Sequence, residues 1–336
     1  MITLGRRTLL AAAGAALLEV GSARAASGSI DEQGFVRIGG IDQWIAIQGQ
    51  DVGKPAILYL HGGPAEAQSP FLKEFIPWER DFIVVNWDQR GSGKTYGRNG
   101  PSTPDVTPER MAADAIEVAE HIRRRLGKTK LILIGQSWGA LLGVMVAKRR
   151  PDLFHAFVGT AQPVSWESTV LAGERWAHSQ AAAAGDKAGL AALDEAAKLP
   201  LSDLRRVMAM GRWRMSPSDF EYLKIQADFM GPTPPTKGDA ADWGSGGAFT
   251  IPKLLPFLTT FDIRALGDTF ALPVVVIQGL QDHAVSFDAA KAWIDQVKAP
   301  AKAFVAIDGG HFACFTNPEG FVAALRQTVL PLANRT

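Results

Sequence analysis

The sequence predicts an α/β fold: a mostly parallel sheet with helices on both faces and a helical cap inserted into it. Three observations carry that prediction. Short apolar runs of strand length alternate with stretches of helical periodicity. Several of those runs end in glycine-rich, polar sequence, as chain leaving the carboxyl edge of a parallel sheet should. The alternation then stops for a long alanine-rich block before it resumes.

The first 25 residues stand apart. Arg6 and Arg7 precede the apolar run Leu9 to Leu18, and Ala23-Arg24-Ala25 has the small residues that a signal peptidase needs. This reads as a twin-arginine signal peptide over residues 1–25, with cleavage after Ala25 and export to the periplasm or beyond. The run falls short of the ~20 residues that cross a membrane, so no membrane anchor is expected, here or later in the chain.

The sheet core is expected over 30–160 and 262–336. Phe35–Ile38 and Gln43–Gln48, joined through Gly39-Gly40, read as an antiparallel hairpin. Ala56–Leu60 and Phe82–Trp87 read as buried strands, ending in His61-Gly62-Gly63-Pro64 and Asp88-Gln89-Arg90-Gly91-Ser92-Gly93. Thr107-Pro108 combines a cap with a proline at the first helical position. Met111, Ala115, Val118, Ile122 and Leu126 then share one helix face. Leu131–Ile134, too short for a helix, runs into Gly135-Gln136-Ser137-Trp138-Gly139 and a helix-like stretch, and His155–Gly159 adds a strand. Residues 161–261 are predicted as the cap: helices over Ser168–Ala184, Leu190–Lys198, Ser202–Met210 and Ser218–Phe229, then a Gly/Pro-rich loop from Gly231 to Gly247. The core resumes with Pro273–Gly279, a helix around Ala289–Val297, a strand Lys302–Ile307 and a last helix from Pro318.

The 336 residues are 47% hydrophobic and 21% charged, with a net charge of +1, an ordinary globular balance. The short basic tracts Arg123–Arg125 and Lys148–Arg150 each end a predicted helix, where cations suit the dipole. Nucleic acid is therefore not an expected partner. The single Cys314 excludes an internal disulfide, and no histidine spacing suits a metal. Gly91-Ser-Gly-Lys-Thr95 resembles the end of a phosphate-binding loop, but Asp88 stands where that pattern needs glycine. No cofactor or metal is expected. The partner is a small-molecule or short-peptide substrate.

Candidate chemistry gathers at the predicted strand ends. Ser137 occupies a sharp Gly-x-Ser-x-Gly turn whose glycines let the chain pass close to itself. Asp282 follows one strand and His311 another. A serine hydroxyl needs a base to become a nucleophile; His311 can serve, with Asp282 orienting its ring. Asp308 is the alternative acid, and His283 reads as a loop side chain. The backbone amides of Gly63 and Trp138 are candidates for stabilising an oxyanion.

His61–Pro64, Asp88–Gly93, Gly135–Gly139, Gly279–Asp282 and Gly310-His311 together resemble segments of proline iminopeptidase-like α/β hydrolases. The resemblance covers most of the two sheet portions. It implies the α/β-hydrolase fold, a Ser137–Asp282–His311 triad, Gly63 and Trp138 as oxyanion donors, and a helical cap over the site. Asp88–Gly93 would shape the pocket rather than react. The chain departs from the family at Ala65, where a further glycine would follow His-Gly-Gly-Pro. It also lacks, in the cap, the Trp-Glu-Gly context of a glutamate that binds the substrate's free amino group. Glu174, Glu221 and Trp213 are the cap's candidates for substrate binding, with Asp242 as a further carboxylate. The expected function is hydrolysis of an ester or amide bond through an acyl-enzyme on Ser137, with a proline iminopeptidase-type aminopeptidase as the closest specific form. A carboxylesterase or lactonase acting on small molecules is the alternative within the class. A non-catalytic ligand-binding protein of the same fold is the alternative outside it.

Overall fold

The computed structural model of the protein describes residues 28–232 and 237–334; the segment read as a signal peptide lies outside them. β1 (Ile30–Ile38) and β2 (Ile41–Gly49) form the opening hairpin. It turns at Gly39 and Gly40, with φ of +54° and +80°, values that glycine reaches without strain. Next come β3 (Ala56–Leu60), α1 (Ile76–Glu79), β4 (Ile83–Trp87), α2 (Gly93–Asn99), α3 (Pro108–Leu126), β5 (Leu131–Gln136), α4 (Trp138–Arg149) and β6 (Phe154–Thr160). Helices α5 (Trp166–Ala183), α6 (Lys187–Ala197), α7 (Leu204–Met210), α8 (Pro217–Phe229) and α9 (Lys237–Leu258) follow without a strand. β7 (Val274–Gly279), α10 (Phe287–Gln296), β8 (Lys302–Ile307), α11 (Ala313–Thr316), α12 (Pro318–Thr328) and α13 (Leu330–Ala333) complete the described chain.

The eight strands lie in the order β1-β2-β4-β3-β5-β6-β7-β8. Pairing is antiparallel where β2 meets β1 and β4, and parallel elsewhere. Every residue of β3, β5 and β7 is buried, which is why these strands read as unbroken apolar runs. Alternation still sorts their side chains between two cores. Leu58, Leu60 and Leu133 pack with Met111 and Val118 of α3 and Leu142 of α4. Ile57, Tyr59 and Ile132 face Trp78 of α1 and Phe321 of α12. The edge strand β1 instead alternates half-buried and exposed positions.

The helical block joins the sheet through a narrow neck. Ser165 and Asp262 form a β-bridge, Trp166 N donates to Phe261 O (3.0 Å), and Ile263 N donates to Val164 O (2.9 Å). Composition misled at one place: most of the loop expected from Gly231 to Gly247 is the first half of α9. Small residues there serve docking. A Cβ on Gly246 would lie 2.9 Å from Gly91 O, while Thr250 Oγ1 donates to Gly91 O (2.8 Å) and Trp243 Nε1 to Ala67 O (3.1 Å). Tertiary contact with α2 and the loops beside it outweighs weak helix propensity. Pro252 and Pro256 lie inside the same helix. No helix of the described residues is long and apolar enough to cross a membrane.

Candidate active site

β5 delivers Ser137 to the carboxyl edge of the sheet at φ +53° and ψ −117°, a conformation rare for a residue with a Cβ. Its surroundings enforce that turn. Ser137 N donates to Thr160 O at the end of β6 (3.0 Å). A Cβ on Gly135 would lie 2.2 Å from Gly139 O, and one on Gly139 would lie 2.0 Å from Leu60 O. Glycine is thus required on both sides of the serine. Trp138 opens α4, so its N–H has no acceptor within the helix.

The loops after β7 and β8 bring two more groups to the serine. Ser137 Oγ lies 3.0 Å from His311 Nε2, and His311 Nδ1 lies 3.1 Å from both carboxylate oxygens of Asp282. Asp282 is fixed in turn: Gln278 Nε2 donates to it at 2.8 Å, Ala284 N at 3.0 Å and Val285 N at 3.1 Å. Asp308 is exposed and contributes its backbone carbonyl to Asn317, so the structure pairs His311 with Asp282. Burial disfavours the imidazolium, but the charge and hydrogen bond of Asp282, with Asp219 adding to them, overcome it. The His311 pKa is held above its ordinary value. With Nδ1–H donated to Asp282, neutral His311 presents Nε2 as an acceptor to the serine hydroxyl, the arrangement that general-base activation requires.

These groups open on a cavity of about 570 Å³ between the sheet and the helical block, with Leu141, Trp166, Leu255 and Phe261 among its apolar walls. Gly63 and Trp138 line it beside Ser137. Gly63 has φ +105°, and a Cβ there would lie 2.8 Å from the amides of Ala65 and Glu66. Its lack of a side chain lets the turn bend tightly and exposes its backbone to the cavity.

Residues 88–93 brace this arrangement. Gln89 joins both halves: its Nε2 donates to His61 O (3.0 Å), its N to His61 Nε2 (3.1 Å), and its Oε1 accepts from Trp138 Nε1 (2.9 Å). Burial pushes His61 down to about 4, so it is neutral, donating Nδ1–H to Gly62 O. Arg90 is wholly buried against Asp114 of α3 (2.7 Å) and donates to Gly39 O and Pro104 O. Asp88 accepts from Ser69 and from the Lys94 amide.

The cap residues expected to bind substrate lie elsewhere. Glu174 forms a paired contact with Arg206, 2.6 Å to each nitrogen, inside the cap. Glu221 is exposed on α8, and Trp213 packs against the small cap core around Val170 and Met210. Asp242 faces Gly97 of α2. The charged side chains that do line the cavity besides His311 are Glu66 and Arg214, which sequence reasoning missed. Glu66 directly follows Ala65, the position where the glycine-rich turn departs from its pattern, and that departure was the available signal. Asp219 was also missed. It accepts from Phe312 N (2.9 Å), the residue after His311, and so ties α8 to the loop that carries His311. Among the described residues no cluster of His, Cys, Asp or Glu is placed to hold a metal ion.

A mostly parallel eight-stranded sheet, a serine on a strained turn after its fifth strand, and acid and histidine beyond the last two define an α/β hydrolase. Residues 55–318 match the alpha/beta hydrolase fold family, and the chain belongs to it. Its particular likeness is to proline iminopeptidases. It is 39% identical over 129 residues to a protein of Bacillus subtilis named "Probable aminopeptidase YbaC", a match covering 38% of this chain and 40% of that one. It is 31% identical over 109 residues to the proline iminopeptidase of Lactobacillus helveticus, covering 32% of this chain and 35% of the relative. The matches thus span well under half the length of these relatives. The crystal structure of a proline iminopeptidase-related protein from Thermus thermophilus shares the fold, with a TM-score of 0.62 at 22% identity, covering 90% of this chain and 99% of that one.

Proposed function

We propose that the protein is a serine hydrolase that cleaves an ester or amide bond through an acyl-enzyme on Ser137. The observation that carries this reading is the continuous chain from Ser137 Oγ through His311 to Asp282, at 3.0 and 3.1 Å, opening on the cavity. His311 Nε2 takes the hydroxyl proton as Oγ attacks the substrate carbonyl, and Asp282 stabilises the resulting imidazolium. The amides of Gly63 and Trp138 donate to the developing oxyanion. The imidazolium then protonates the leaving group, and water, activated by the same histidine, releases the acyl group.

The specific form we favour is an aminopeptidase acting on short peptides. Two observations support it: the likeness to aminopeptidases and proline iminopeptidases, and the cavity carboxylate of Glu66. The cavity walls push the Glu66 carboxyl up, and the charge of His311 opposes the shift. A substrate ammonium would hold that carboxylate ionised. The apolar walls also suit a small-molecule ester, the second reading. Turnover of proline naphthylamide against short acyl esters separates the two: hydrolysis of the amide supports the peptidase, and turnover confined to esters overturns it. We further propose export through the signal peptide over residues 1–25.

A further inference from the structure

Within the cavity, Arg214 has an unusual position. It lies in the cap between α7 and α8 and lines the cavity together with Ser137 and His311. One of its nitrogens, Nη2, donates to Ala284 O (2.7 Å), in the loop that carries Asp282. Its Nε is buried with no partner. Burial pulls its pKa down, and Asp282 is the charge that opposes this. Yet Asp282 makes no ion pair with it, because its oxygens are occupied by His311, Gln278 and two backbone amides. Arg214 is half-buried, and a buried Nε–H without an acceptor is costly unless a group in the cavity completes it.

The bond to Ala284 O, two residues beyond Asp282, sets Arg214 beside the loop that holds the partner of His311. In acyl transfer the histidine hands its proton to the leaving group, so a residue on that side meets the leaving group rather than the acyl part. Glu66, whose Cγ approaches the turn at Gly63, lies on the oxyanion side.

We propose that Arg214 binds a free carboxylate on the leaving group, so that the preferred peptide substrate is a dipeptide with an unblocked C-terminus. This deepens the reading of the site given above and rests on it. The chemistry is selective: an amide or a longer peptide at that position offers only a neutral carbonyl acceptor, whereas a carboxylate gives the guanidinium a charge-assisted hydrogen bond.

The test compares matched pairs that differ only in that group: prolyl-alanine against prolyl-alanine amide, and an acylated hydroxy acid against its amide. Wild-type kcat/KM should favour the acid roughly ten- to hundredfold. Arg214→Met should abolish the preference by lowering kcat/KM on the acid roughly ten- to hundredfold more than on the amide, and Arg214→Lys should restore part of it. A wild type without preference, or a preference that survives in Arg214→Met, overturns the proposal. Equal loss on acid and amide also overturns it, since that is the signature of a structural role through Ala284. Calorimetric binding of the same pairs to Ser137→Ala reads the preference without turnover. Failure to hydrolyse any pair therefore counts against the nucleophile and leaves the carboxylate site decided by binding.

Discussion

At the residue scale, Ser137, Asp282 and His311 could be singled out in the sequence because each lies within a few positions of a strand end. The sheet brings those ends together without help from the cap. Both Asp282 and Asp308 follow strands; the family resemblance favours Asp282, and the structure places its carboxylate against His311. Asp282→Asn should lower kcat about 10⁴-fold by leaving His311 in the wrong tautomer; steady-state kinetics with folding checked by circular dichroism reads this, and near-normal turnover would contradict it. Because His311 must be neutral to act, activity should fall as pH drops through its pKa. Asp282 and Asp219 hold that pKa above the ordinary value of about 6.5, so the acidic limb of kcat/KM should lie above it. A limb well below it would mean that burial, rather than the carboxylates, governs the group. Arg214 had no comparable sequence signal and Glu66 only the departure at Ala65 beside it, because which charges face a cavity depends on how loops pack.

At the scale of elements, the strands and the amphipathic helices read cleanly, whereas α9 did not. Its glycines and prolines argue for a loop, and only the close approach to α2 explains a helix there. Glu174, Glu221 and Trp213 were misplaced for a related reason: the sequence does not tell which side of a cap helix meets the substrate. The elbow is better determined. Gly139→Ala would force a Cβ to 2.0 Å from Leu60 O, a backbone atom that cannot yield cheaply. The substitution should cost about 1–3 kcal/mol or more in urea unfolding. The same method applies to the brace beneath the site. Asp114→Asn leaves Arg90 buried beside an uncharged partner and should cost about 3–5 kcal/mol, whereas replacing Arg90 and Asp114 together by Met and Leu should cost much less. Equal losses in the two variants would show that the pair's charge is not what holds the loop.

At the scale of the whole molecule, the sheet gathers Ser137, Asp282 and His311 at its carboxyl edge and the inserted helices form an apolar chamber over Ser137 and His311. The insertion itself was legible as a break in strand alternation, and the neck at Ser165 and Asp262 gives that break a physical boundary. The shape of the chamber was not, because it is set by contacts among five helices rather than by any one of them. If residues 1–25 direct export, replacing Arg6 and Arg7 by lysines should retain the protein in the cytosol, and N-terminal sequencing of exported wild type should begin at Ala26. Cytosolic wild type would contradict this. The central claim, a covalent intermediate on Ser137, is tested most directly by intact-mass spectrometry after brief exposure to an activated ester, with peptide mapping of the adduct. The account predicts one acyl group per chain, located on Ser137 and absent from Ser137→Ala; turnover with no adduct, or an adduct that persists in Ser137→Ala, would contradict it.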